Sequence, residues 1–488
     1  MAVVGAGAAG CVVAARLSED PARNVLLLEA GPDLRASPPA ELSDGWRMTQ
    51  QYDWGYTSEP DPLGNTQKLR RLKLLGGTSQ LTRFALRGSP ADYDGWAALG
   101  NPGWGWDDVL RTFRRLEADL DFGDRPWHGN RGPIPVTRYP DTPQTDIHAA
   151  VVEALQASGF PPVEDHNAPG AIGVGRMPMN SRDGVRATTA SAYLPLGGTP
   201  PNLTIRSDAQ VDQVVFDGTR AIGVRLVGGT LIGAGLVVLC AGTYGSPLIL
   251  MRSGIGPARH LRAVGILVRL DLPGVGANLA DHPAVEGVDL GYRGEARSAP
   301  LLHSVATWRS AGAPPDGPPD LMLWVSDPDT PDNPPQLTLD VVLLTPRSRG
   351  TVRLRSADPL DLPRIILPHL EDPTDLARLV EGYRRIREVA ASPELRRLCS
   401  EPMPPEITDP EQLRQAILRE GYSVPHVVGT CAMGPSTDAG AVVDSSGRVH
   451  GADGLLVADA SIIPTAPSGF THLPTIMLAE RLSERIAH

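Results

Sequence analysis

The stretch MAVVGAGAAGCVVAARLSEDPARNVLLLEAG, residues 1–31, decides how the chain folds. A short apolar run leads into Gly5-x-Gly7-x-x-Gly10. The following CVVAARLSED carries Val12, Ala15 and Leu17 at helical spacing, and a second apolar run, Val25–Leu28, ends in Glu29. Strand, glycine turn, helix and strand, closed by an acid 19 residues after Gly10, form a dinucleotide-binding unit. Gly5 permits the sharp turn, Gly7 admits a pyrophosphate against the backbone, and Gly10 lets helix and strand pack closely. The helix N-terminus faces the phosphates, and Glu29 can accept both ribose hydroxyls. An acid there repels a 2′-phosphate, which disfavours NADP; NAD and FAD both remain open on this motif. Only four residues precede Gly5, so the first strand is expected to be short.

The remaining composition bounds the answer. A length of 488 residues predicts two or three domains, which can interleave. With 45 basic and 56 acidic residues the net charge is −11, and no basic block offers a face to nucleic acid. Cys11, Cys240, Cys399 and Cys431 are widely separated and form no CxxC pair, so neither a disulfide framework nor a metal site is expected. A reducing cytoplasm fits, and the opening MAVVGAG has neither the basic nor the apolar region of a secretory signal. The uncharged stretch 231–251 is interrupted by Gly233, Gly235, Gly242, Gly245 and Pro247. It therefore reads as strand, turn and helix start, not as a membrane span.

Beyond Gly31 the strand–helix alternation stops. Residues 52–60 and 74–88 read as long loops; an amphipathic helix follows Trp106, strands occupy 202–239, strand-like runs fill 290–345, and a strong helix covers 375–392. The last unit, GLLVADASIIPTAPSGFTHLPTIMLAERLSERI, reads as a buried strand, a loop and a helix opening near Pro474. Pieces of the nucleotide domain thus lie at both ends and in the middle of the chain.

Five further ordered motifs resemble the glucose–methanol–choline (GMC) oxidoreductase family over essentially the whole chain. They are LLGGTSQLTRFALRGSPADYDGWAALGNPGWGW, AGTYGSPLILMRSGIGP, LPGVGANLADHP, HVVGTCAMG and VADASIIPTAPSGFTHLPTIMLAERL. DLDFGDRPWHGNRGPIPV (119–136) is similar to stretches of bacterial hydroxymethylfurfural oxidases and mycofactocin-associated dehydrogenases. The resemblance implies an α/β protein: a Rossmann-like FAD-binding domain with an inserted α+β substrate domain built on an antiparallel sheet. The FAD-binding domain is expected over 1–140, 188–285 and 426–488, and the substrate domain over 141–187 and 286–425.

It also implies a reaction: oxidation of a small-molecule alcohol to a carbonyl by hydride transfer to flavin N5, with oxygen or another electron acceptor completing the cycle. His426, a lone histidine that would ordinarily be a satisfied core residue, matches the family's general base, and His472 matches its partner. The implied cofactor contacts are Gly5, Gly7, Ala8, Ala9, Gly10, Glu29, Ala30, Trp54, Gly76, Gly77, Thr82, Val211, Ala241, Gly242, Asp459, Ala460, His472, Leu473, Pro474 and Thr475. Two departures stand out. Thr82 occupies the neighbourhood of the family's usual asparagine, in a loop one residue shorter, and Phe470 replaces an amide in Ser468-Gly469-Phe470-Thr471-His472. His282 and His450 read as structural, and Cys431 as a small buried hydrophobe. The alternative functions are an FAD-containing lyase of the same fold that makes no use of flavin redox chemistry, and a catalytically silent flavoprotein.

Overall fold

A computed structural model describes residues 1–43, 51–142, 144–294, 304–326 and 336–487. Parts of the expected strand region 290–345 and of the proline-rich stretch after Gly31 lie outside these residues. Two sheets organise the chain. The first is parallel and five-stranded, in the order Leu455–Val457, Val237–Leu239, Ala2–Val4, Val25–Leu28, Leu203–Arg206. Four of its strands are buried runs of Val, Leu and Ala, as a sheet covered on both faces requires, while the edge strand Leu203–Arg206 carries exposed Thr204 and Arg206. The helices Gly10–Leu17 and His472–Ala487 pack against each other beside it.

The second sheet is seven-stranded, in the order Tyr422–Ser423, Pro283–Gly291, Gln336–Leu343, Leu321–Ser326, Ser304–Trp308, Gly173–Arg176, Pro162–Val163. All its pairs are antiparallel except the last. Alternation gives it two apolar faces. Val285, Leu323, Leu339 and Val341 meet the helix Pro373–Ala390, while Ala284, Met322, Val342 and Leu344 turn toward the first domain. Gly382 and Gly287 let that helix lie tight on the sheet: a Cβ on Gly382 would collide with Val341 Cγ2, and one on Gly287 with Ile386 Cδ1. The fold is therefore α/β, with a Rossmann-like part and an antiparallel sheet inserted into it.

The helices Trp106–Leu116 and Pro373–Ala390 and the strand–turn–helix over 231–252 agree with the sequence reading. One helix, Pro90–Ala98, goes beyond it: Ser89 and Asp92 form a capping box, and proline fills the first turn. The 119–136 motif is held by buried charge. Arg87 and His128 meet Glu117 at 3.3 and 2.8 Å, and His128 and Arg138 meet Asp165 at 2.9 and 2.8 Å. These carboxylates hold His128 above its ordinary pKa, against the opposing effect of its burial. Glu117, Asp119 and His128 also cluster at metal-like distances, but Arg87 and Arg138 already neutralise the carboxylates.

The C-terminal helix is fastened by Glu480, which is fully buried and accepts from Arg16 Nε at 2.9 Å, Arg115 Nη2 at 2.8 Å and the Tyr193 hydroxyl at 2.8 Å. Glu480→Gln removes the charge while keeping the shape. Both arginines retain partial access to water, which limits the cost to about 2 kcal/mol. The thermal midpoint should fall by roughly 2–4 °C, readable by calorimetry; an unchanged midpoint would refute the fastening role.

Candidate active site

The glycine turn is built as its spacing predicts. Gly5 has φ +95°, and a Cβ there would strike Cys240 O at 2.6 Å; a Cβ on Gly10 would overlap Gly5 O. Gly7 is different: a Cβ there meets nothing within 4 Å, so its outer side faces open space. Gly77 lies against Gly7, where a Cβ on Gly77 would stand 2.9 Å from Gly7 Cα, and Gly76 donates to Ala6 O at 2.7 Å. Gly242 opens the helix Gly242–Arg252 with free space around it, and its amide donates to Asp459 Oδ2 at 2.8 Å. Gly5, Gly7, Ala8, Ala30, Ala241, Gly242 and Ala460 all keep partial exposure within a neighbourhood that is otherwise buried. Small residues left open in this way let a ligand approach the backbone closely, as an extended dinucleotide requires.

Glu29 follows the second strand. Its carboxylate accepts from the amides of Ala6 (2.8 Å) and Gly31 (3.0 Å), and burial pushes its pKa up to about 7. Ala9 precedes the first helix, whose N-terminus opens on the turn. Val211 lies just beyond Ala209, whose amide donates to Glu29 O at 2.7 Å, so that strand abuts the ribose end. Trp54 is half-buried, stacked on Tyr56 at 5.8 Å and capped by Lys73 Nζ at 4.7 Å. Thr82 donates to Thr78 O at 3.2 Å, which turns its hydroxyl back on its own loop. These residues could hold FAD, and the open side of Gly7 and Gly242 fits such a group.

Three loops converge at the other end. Residues 422–428 run antiparallel to 280–284, with Val424 N donating to His282 O and Val428 N to Ala280 O, each at 3.0 Å. Asp281 Oδ1 accepts the amides of both His282 and His426 at 2.8 Å, and Ser423 binds the other oxygen. Thr243 ties Val427 O to the Gly242 helix at 2.8 Å. The third loop is docked by Asp92, which accepts from Ser468 N at 3.0 Å, and by Phe470 N donating to Leu86 O at 2.9 Å.

His426 Nδ1 lies 3.1 Å from His282 Nδ1, and His282 Nε2 lies 3.0 Å from Pro467 O. A carbonyl only accepts, so His282 carries its proton on Nε2. Burial holds His282 down at about 4, so it is neutral and its Nδ1 can only accept. His426 must then carry its proton on Nδ1, leaving a lone pair on Nε2. Burial, His282 and Arg71 all push the pKa of His426 well below the usual value. The ring is enclosed by protein yet keeps part of its surface open. It sits 4.6 Å from Phe470. His472 begins the C-terminal helix, is buried, and is lowered to about 4 by burial and then by Arg186; its Nε2 has no hydrogen-bond partner. Leu473, Pro474 and Thr475 form the same helix turn.

Beside His426 the buried side chains form an apolar cluster: Phe84, Leu86, Met177, Met179, Val305, Met322, Val342, Val424 and Phe470, with Phe84 5.0 Å from Trp324 and Trp324 5.5 Å from Phe470. Phe470, from the loop that carries His472, brings this cluster against the His426 ring. His426 makes its ring hydrogen bond to His282, not to His472. His282, expected to be structural, is thus the direct partner of His426; its signal in the sequence is the buried Asp-His pair ahead of an apolar strand. Arg71, which donates to Pro425 O at 2.8 Å, also escapes the sequence reading. His450 Nε2 lies 3.0 Å from Gly434 O, away from the site, and Cys431 is buried.

A Rossmann-type glycine turn with an acid after its second strand, and a neutral histidine pair beside an apolar cluster, fit a dinucleotide-dependent oxidoreductase. Comparison with known proteins makes the class specific. The GMC oxidoreductase family matches residues 2–284 and again 346–479, and the chain belongs to that family. It is 37% identical to a 5-(hydroxymethyl)furfural oxidase of Methylovorus sp. (strain MP688), covering 99% of this chain and 98% of that one. It is 36% identical to choline oxidase of Arthrobacter globiformis, covering 99% and 93%. Among solved structures, pyridoxine 4-oxidase from Mesorbium loti superposes with a TM-score of 0.92 at 31% identity, covering 100% of this chain and 99% of that one. The chain is therefore an FAD-dependent enzyme of the alcohol oxidase or dehydrogenase kind. No helix among the described residues is long and apolar enough to cross a membrane.

The purified protein should carry about one FAD per chain. Glu29→Ala removes the ribose acceptor and should weaken retention, while Gly7→Val fills the open side of the turn and should abolish it. Flavin absorbance after gel filtration measures both; full retention by Gly7→Val would show that the cofactor lies elsewhere.

Proposed function

We propose that the enzyme oxidises a primary alcohol carried on an apolar, aromatic body, with His426 accepting the hydroxyl proton. Segments 1–140, 188–285 and 426–488 hold the cofactor in this reading, and 141–187 with 286–425 cover the substrate. The observation that carries it is the hydrogen-bonded row Pro467 O, His282, His426, which leaves a lone pair on His426 Nε2 in a ring that touches the aromatic cluster at Phe470. The hydroxymethyl group named in the furfural oxidase relative is an alcohol of the required kind.

Bound FAD supplies the acceptor for the hydride that leaves the carbinol carbon. The chain's own residues prepare that departure. His426 Nε2 takes the proton from the hydroxyl as the carbon–hydrogen bond weakens, which makes the carbon a better donor. His282 holds the tautomer and the ring direction. His472, whose Nε2 is otherwise unmatched, orients the same oxygen. The apolar side chains exclude water and fit an aryl or furanic body. Oxygen or another acceptor then receives the electrons.

His426→Ala should retain FAD and slow flavin reduction by roughly 10²-fold or more. That deficit should shrink at high pH, where alkoxide forms unaided. His472→Asn should be milder, because an amide still hydrogen-bonds the oxygen. His282→Leu removes the Nδ1 acceptor and should cost roughly tenfold, while His282→Gln restores most of it. Anaerobic stopped-flow reduction reads all four. In the wild type, the working form of His426 is neutral and its pKa is depressed. Activity should therefore be flat through neutrality and fall only as pH drops well below 6.5. A structural His426 would instead lose FAD and stability while the rate per bound flavin stayed normal. Cyanohydrin cleavage by a flavin that no alcohol reduces would establish the lyase.

A further inference from the structure

The face of the antiparallel sheet that carries this apolar cluster changes character along its strands. Near the histidines it is apolar, with Met322 opposite Val342. Two residues further along, Trp324 stands opposite Asp340, and Asp340 opposite Glu286. Side chains two apart share a face, so Asp340 points to the same side as Val342. Its Cβ lies about 4.5–5.5 Å from that of Trp324, as for any directly opposed pair.

Asp340 is 7% exposed. The Tyr422 hydroxyl bonds its carboxylate, but Oδ1 has no hydrogen-bond partner. No arginine, lysine or histidine among the described residues pairs with it, and the charge acting on it is the like-signed Asp289. A buried carboxylate with one idle oxygen and no cation is costly unless a partner arrives. A chain of ring contacts runs from beside it to the base: Trp324 touches Phe84 and Phe470, and Phe470 touches His426. Aromatic faces attract cations as well as flat apolar bodies.

We infer that Asp340 Oδ1 recognises the far end of the substrate: a cationic hydrogen-bond donor, an ammonium or protonated ring nitrogen, on an aromatic primary alcohol whose carbinol lies at His426. This rests on the alcohol-oxidising reading of the site. Burial raises Asp340 to about 6, so it is still ionised at neutral pH and able to pair with such a group. Its hydrogen bond to Tyr422 holds the carboxylate in place.

The test compares 4-(aminomethyl)benzyl alcohol with 4-ethylbenzyl alcohol, two alcohols of matched shape that differ in charge, on the holoenzyme at neutral pH. The wild type should favour the ammonium compound by about tenfold or more in kcat/KM, the worth of one charge-assisted hydrogen bond. Asp340→Asn should erase that preference through KM and leave the ethyl compound within about twofold. A wild type that turns over both alcohols without preference overturns the assignment whether or not any variant folds. An Asp340→Asn enzyme that loses both alike overturns it too, by showing a structural role. Failure of every alcohol to reduce the flavin brings down the alcohol-oxidising reading, and this assignment with it.

Discussion

The site depends on a single buried carboxylate that touches neither expected ligand. Asp281 Oδ1 receives the backbone amides of His282 and His426 together, and its other oxygen binds Ser423. One side chain therefore fixes the positions of two loops more than a hundred residues apart in sequence. A ring hydrogen bond between two imidazoles tolerates little displacement, because both distance and direction decide its strength. Burial raises the pKa of Asp281, and the hydrogen bonds it accepts oppose that rise. The carboxylate thus spends its acceptor capacity on positioning and leaves the chemistry to the rings it aligns.

The electrostatics around the histidines point one way. His282, His426 and His472 are all pushed down, mainly by burial. As neutral imidazoles, His282 and His426 can lie in ring contact without repulsion, and each then has one donor and one acceptor to be placed. His426 is therefore unprotonated well before neutrality is reached as pH rises. A separate network of charges, Arg87–Glu117–His128–Asp165–Arg138, holds the 119–136 segment.

The first strand, glycine turn and Glu29 are legible in the sequence because local chemistry dictates them: a turn with Gly5 at positive φ and Gly10 in backbone contact admits few other residues. The long apolar-striped helix at Pro373–Ala390 is legible for a similar reason. The role of His282 is not. The Asp281-His282 pair marks the place but not the partner, since His426 and the acceptor Pro467 are supplied by distant segments. The Pro90–Ala98 helix is hidden by its weak apolar periodicity, although its capping box is there to be read. The aromatic cluster is equally invisible, because Phe84, Trp324 and Phe470 meet only through tertiary packing.

The strand order of the parallel sheet bears on how the chain reaches this state. Leu455–Val457 pairs with Val237–Leu239, which pairs with Ala2–Val4, so the first strand made is joined through its neighbour to one of the last. A ribosome delivers these strands hundreds of residues apart, and contacts of such separation form slowly. The expected cofactor site includes both Gly7 and Ala460, so part of it is missing until the final segment emerges. Flavin capture is therefore a late event in biogenesis. The nascent protein must keep its apolar strands from wrong partners for most of its synthesis, and a dinucleotide binding at the end would seal the assembly by mass action.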